Sequence, residues 1–191
     1  MYLMHWGILG QKWGVRRFQN PDGTLTAQGK ERYQKKTVFV SGSSKTQDRH
    51  SKYYRKRLPK DIRQYILDLV EENADFVVGD APGIDRQVQN FLNKLQYDKV
   101  TVYGPGKEVR YTANSKWQTK PIDAPEYEVG SKEWLAKKDI AMEKAATEGL
   151  AVILDEGAKA TRKNIERLQK NKKPVAVYEL SKNGKRKDKW N

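Results

Sequence analysis

A single α/β domain, built on a mostly parallel five-stranded sheet between two layers of helices, is the fold class that this 191-residue sequence predicts. Two observations lead there. Short apolar runs rich in β-branched residues recur along the chain: TVFVS at 37–41, ADFVV at 74–78, KVTVY at 99–103, LAVIL at 150–154 and PVAVYEL at 174–180. Between them, apolar residues fall at helical spacing. Strands apolar on nearly every residue belong to a sheet buried on both faces, and helical crossovers supply the cover.

Each element has its own justification. Residues 1–36 stand outside the alternation and form a small N-terminal appendage, in which Pro21-Asp22-Gly23 reads as a turn and Thr26 as the cap of a helix start. The strand at 37–41 leads through a basic stretch to a helix with Ile62, Tyr65, Ile66, Leu69 and Val70 on one face. The strand at 74–78 breaks at Gly-Asp-Ala-Pro-Gly and gives way to a helix carrying Ile84, Val88, Phe91, Leu92 and Leu95. After 99–103 comes a segment, 104–130, with Pro105, Pro121 and Pro125 and no clear period, for which a lid or partner-facing flap is expected. A third helix over about 132–148 is marked by Trp134, Leu135, Ile140 and Met142, and a fourth over about 161–171 by Ile165 and Leu168. This order describes a Rossmann-like three-layer sandwich over 37–180, followed by a basic tail at 181–191.

Composition narrows the chemistry. The chain has no cysteine and only two histidines, His5 and His50, so thiolate nucleophiles, disulfides and thiolate metal sites are excluded and no metal site is expected. Its apolar runs are far too short for a membrane span, and the expected location is cytoplasmic. The net charge of +14 is uneven: residues 1–60 hold 14 Lys/Arg against 3 Asp/Glu, 181–191 hold 5 against 1, and the middle, with 19 against 20, is nearly neutral. Basic ends can neutralise phosphates, and a partner distinct from that of the core is expected for them.

In an open parallel sheet, ligands bind beyond the carboxyl ends of the strands. After the first strand, Gly42 lets a backbone come close, Ser43 and Ser44 add hydroxyls, and Lys45, Arg49, Arg55 and Arg57 add positive charge. After the second, Gly79, Pro82 and Gly83 shape a bare turn, Asp85 stands at the helix start, and Arg86 follows it. After the fourth, Gly157 and Lys159 precede Thr161, placed to cap the next helix. Asp80, Asp85 and Glu156 are candidates for ribose hydroxyls or a base edge, although acids at helix starts also serve as caps. Tyr103, at the end of the third strand, is a candidate for stacking on a base or for core packing.

The combination of VFVSGS, VVGDAPGIDRQV and EGAKATRKNI resembles the SLOG superfamily of Rossmann-like nucleotide-binding domains, which includes relatives of the DNA-processing protein and the LOG phosphoribohydrolases. The second motif is matched over Gly79–Arg86, and the third by Gly157-Ala158-Lys159-Ala160-Thr161 with Asn164-Ile165. The resemblance spans roughly 37–180 and implies a nucleotide-built ligand across these turns, and a homodimer or higher oligomer. Ala158 and Ala160 stand where that motif has glycines, and the Glu/Arg pattern of the LOG hydrolases is absent, so the resemblance carries binding further than hydrolysis. The leader, HWGILGQKWGVRRF, resembles a short module heading proteins of phages and mobile elements of Gram-positive bacteria, and implies a phage structural protein or nucleic acid as its partner. Its Trp6, Trp13 and Phe18 alternate with Lys12, Arg16 and Arg17, a pattern that suits bases and phosphates and equally suits a small packed cap.

The expected function is capture of a nucleotide-derived signalling molecule, such as a cyclic or NAD-derived immune messenger, without a cofactor and without turnover. The alternatives are hydrolysis of an N-glycosidic or phosphoester bond, with Asp80, Asp85 or Glu156 as general base and Arg86 or Lys159 stabilising charge, and nucleic-acid binding.

Overall fold

The structure is a computed structural model that describes residues 19–27, 29, 35–44, 57–155, 157–180 and 186–187. Among these residues one sheet holds β1 (Thr37–Gly42), β2 (Asp75–Gly79), β3 (Val100–Pro105), β4 (Gln118–Ile122), β5 (Glu148–Ile153), β6 (Val175–Leu180) and β7 (Arg186–Lys187). The spatial order is β4-β3-β2-β1-β5-β6-β7, with every neighbouring pair parallel except β6 and β7. Four helices cover it: α1 (Lys60–Glu71), α2 (Ile84–Lys94), α3 (Lys132–Ala145) and α4 (Lys159–Lys170). The Rossmann-like sandwich expected from the sequence is therefore present. The five expected strands are joined by two more, β4 and β7.

Alternate residues of the central strands build two cores. Val38, Val40, Phe76, Val78, Val100 and Val102 face α1 and α2, where they meet Ile62, Ile66, Ile84, Val88 and Leu92. Phe39, Val77 and Ala151 face the other way, toward Met142 of α3 and Leu168 of α4. Phe39, Phe76, Ile62, Ile66, Leu92 and Met142 are essentially inaccessible to solvent, and each such side chain contributes roughly 1.5–3 kcal/mol of burial free energy. The chain moves from β1 to β2 and β3 with its helices on one face, then across to β5 and β6 with its helices on the other. The crossovers thus keep one hand as the winding direction reverses.

The segment after β3, expected to be a lid, is fastened down. Arg110 binds the Asp80 carboxylate, Tyr111 Oη donates to Asn90 Oδ1 at 2.8 Å, and Ala113 N donates to Gln89 Oε1 at 2.9 Å. Trp117 is buried in the α1/α2 core, and its Nε1 donates to the Tyr97 carbonyl at 3.0 Å. The segment then runs into β4, an edge strand whose Gln118, Thr119, Lys120 and Pro121 are exposed. Proline is tolerated there because an edge strand has neighbours on one side only.

The chain divides into two units, residues 1–35 and 36–191. In the first, Gln19 and Leu25 form an antiparallel bridge across a turn closed by Gly23 N donating to the Asn20 carbonyl at 2.9 Å. Asp22 Oδ1 accepts from Thr24 N and Oγ1, and Thr26 Oγ1 accepts from Gly29 N at 3.0 Å, the capping contact expected of Thr26. The leader's tryptophans and arginines lie outside the described residues, as does most of the basic tail. No helix among the described residues is long and apolar enough to cross a membrane.

Candidate functional site

The winding reverses between β1 and β5, and the connections leaving those two strands diverge to opposite faces. A crevice opens at such a switch point, at the carboxyl edge of the sheet. Here it forms a cavity of about 230 Å³, walled by Ser41–Ser44 at the end of β1, Asp155 and Gly157–Thr161 after β5, Asn164 of α4, and Leu135, Lys138 and Asp139 of α3. Ala81, Asp85 and Arg110 complete it.

Ser43 holds the two diverging strands together. Its N–H donates to the Val152 carbonyl at 3.1 Å, its Oγ accepts from Leu154 N at 3.0 Å, and its carbonyl accepts from Ile84 N, at the start of α2, at 3.1 Å. The turn before α2 closes against it: Gly83 has φ +96°, and a Cβ there would lie 2.3 Å from the Ser43 carbonyl oxygen. Only glycine fits both the conformation and the space. Ser44, by contrast, is exposed at the rim.

The electrostatics centre on two ion pairs, each with at least one buried partner. Asp80, with no side-chain exposure, accepts from Arg110 Nε at 2.8 Å, from the Arg110 backbone N–H at 3.0 Å, and from the guanidinium a third time. Lys138 Nζ lies 2.8 Å from Asp139 Oδ1, and Asp139 Oδ2 also accepts from Asn164 Nδ2 at 2.9 Å. The Asn164 amide donates to Ser41 Oγ as well, at 2.9 Å, which fixes α4 to β1. Burial pulls the Lys138 ammonium toward a lower pKa, but Asp139, Asp85 and Asp80 together hold it above its ordinary value. Asp85 is pushed up to about 7 by burial, with Lys138 opposing and Asp139 and Asp80 adding to the rise. The crevice therefore holds a cation paired with Asp139 and a carboxyl that exchanges its proton near neutrality.

Several sequence-predicted residues converge on this cavity: Gly42, Ser43, Ser44, Asp85, Gly157, Lys159 and Thr161. Thr161 is not a cap. The residue before α4 is Ala158, without a side-chain capping bond, and Thr161 is the helix's third residue, with its buried side chain in the cavity wall. The Lys159 N–H donates to the Gly157 carbonyl at 2.7 Å, and among the described residues no side chain caps the N–H groups that follow it. Gly79, Asp80 and Gly83 stand behind the wall and shape it, and Pro82 is exposed nearby. Arg86 is turned away, its guanidinium 4.5 Å from the centre of the Tyr111 ring. Tyr103 is buried in the core beneath α3 and α4, with the Lys120 ammonium 5.6 Å from its ring centre, and does not line the cavity. Lys45, Arg49 and Glu156 lie outside the described residues.

Sequence reasoning missed Arg110, Leu135, Lys138, Asp139 and Asp155 as wall residues. For Lys138 a signal existed: it falls between Trp134 and Met142 at four-residue spacing, a charge in the middle of an otherwise buried stripe. The side chains of Asp155 and Lys159 have no hydrogen-bond or ion-pair partner among the described residues. Among those residues, no group of three or more His, Asp or Glu is placed to hold a metal ion. No protein-family profile matches this chain, and no curated protein matches it.

Proposed function

We propose that the crevice between β1 and β5 binds a nucleotide-derived small molecule, in the manner of the SLOG-like domains that the turns resemble, and that the protein holds the molecule without consuming it. The observation that carries this reading is the convergence of two strand-end turns and an uncapped helix start on one cavity at the switch point. Asp85 and Asp155 offer acceptors to ribose hydroxyls, while Ser44, the Lys159 side chain and the N–H groups of Ala160 and Thr161 offer donors to a phosphate. At about 230 Å³ the cavity falls just below the roughly 300–1,000 Å³ typical of small-molecule pockets, so it takes a ribose and its phosphate and leaves the rest of the molecule at the rim. Joined to a phage-type leader, capture of this kind serves to silence a nucleotide-derived immune signal of the host.

A second reading rests on Asp85. A buried carboxyl held near neutrality beside the Lys138 ammonium is suited to give or take a proton, as hydrolysis of an N-glycosidic bond requires. The two readings separate in one experiment. The protein is incubated with cyclic, linear and NAD-derived nucleotides, freed of unbound ligand and heat-denatured, and the released molecule is identified by mass spectrometry. An intact nucleotide in near-stoichiometric amount supports capture. A cleaved product formed by substoichiometric protein overturns capture in favour of hydrolysis, and Asp85→Asn then abolishes product while retaining binding.

A further inference from the structure

A second depression, of about 600 Å³, runs between the outer faces of α1 and α2, away from the crevice residues. Arg57, Arg63 and Lys94 line it, and no carboxylate does. None of the three cationic side chains has an ion-pair or hydrogen-bond partner among the described residues, and the Nε of Arg63 is buried without one. Asn90 and Asn93 also line it, and their oxygens are already engaged, Asn90 Oδ1 by Tyr111 Oη at 2.8 Å and Asn93 Oδ1 by Asn114 Nδ2 at 3.1 Å. The N–H groups of both carboxamides remain available as donors.

The cations are spread along the groove. Arg57 precedes α1 at the carboxyl edge of the sheet and Lys94 closes α2 at the far end, so they are separated by roughly the 15 Å that the helix spans. A row of cations with no carboxylate beside them suits a row of anions, and a phosphodiester backbone is one. The apolar floor is limited to Leu58, itself buried, and the half-buried Phe91, which is too little to anchor a protein partner. A furrow between two helices suits a flexible single strand, whose backbone can track a basic groove.

We infer that the groove between α1 and α2 binds the backbone of single-stranded nucleic acid, independently of the crevice. The test uses the full chain and a fluorescent single-stranded thymidine oligonucleotide, with binding followed by anisotropy from low to high salt. Each phosphate neutralised on a single strand adds about 0.7 to the logarithmic salt slope, so Arg57→Ala/Arg63→Ala/Lys94→Ala should weaken binding and flatten the slope by about 2. Lys94→Glu alone should weaken it further than Lys94→Ala. Circular dichroism confirms that the variants fold, and their nucleotide retention at the crevice should be unchanged. Four results overturn the inference: no binding by the wild-type chain, an unchanged slope in the triple variant, equal affinity for the annealed duplex, or retention of an acidic peptide in place of the strand.

Discussion

A carboxyl group in the first turn of a helix is ordinarily ionised, because the exposed N–H groups favour its anion. Asp85 departs from this because it is buried over Gly79, so close that a Cβ on that glycine would lie 2.3 Å from its Oδ2, and burial outweighs the attraction of Lys138. A group whose folded-state pKa is raised from 3.8 to about 7 contributes stability that is fully present below about pH 4 and lost as pH climbs through 7. Asp85→Asn removes this dependence, so the stability of the variant relative to wild type should rise between pH 4 and pH 8 by an amount on the order of a few kcal/mol. Urea unfolding at a series of pH values measures it, and parallel curves for the two proteins would show that Asp85 is ionised throughout.

At the scale of the elements, the segment between β3 and β4 is tied to the domain by several contacts, of which Arg110 on Asp80 is the ionic one. Arg110→Ala strands a fully buried Asp80 carboxylate, although the half-exposed arginine means the loss is moderated by water, and about 2 kcal/mol is expected. Adding Asp80→Asn removes the stranded charge and should recover part of that loss. A double variant less stable than Arg110→Ala, by chemical denaturation, would contradict this view of the contact. The same segment marks the limit of what the sequence disclosed. The central strands and all four helices were legible because burial on both faces leaves continuous apolar runs, and one-sided burial leaves helical stripes. Strand β4 was not, since an exposed edge places no demand on Gln118, Thr119 or Lys120. The turns of the crevice were readable from their glycines. Its charged wall was not, because Lys138, Asp139 and Arg110 look like solvated residues until the fold brings them to Asp85 and Asp80. Tyr103 illustrates the converse: its place at the end of β3 was evident, but only packing shows that its ring is enclosed by the core.

Across the central domain, the crevice cations Lys138 and Arg110 are matched by Asp139 and Asp80, which leaves Lys159 as the one unpaired cation of the wall among the described residues. A site so balanced selects by hydrogen bonding and shape more than by net charge, which suits one small phosphorylated sugar better than a polyphosphate. Charge set apart on the α1/α2 surface is free for a different partner. The central claim is thus one of place: a nucleotide-derived ligand sits where β1 and β5 part. Amide chemical-shift mapping of the isotope-labelled protein, during titration with the nucleotide best retained by it, tests this most directly. The largest shifts are expected at Ser43, Ser44, Asp85 and Gly157–Thr161, with little change at Arg63, Asn90 and Lys94. Shifts confined to the α1/α2 groove, or absent from the β1 and β5 turns, would contradict it.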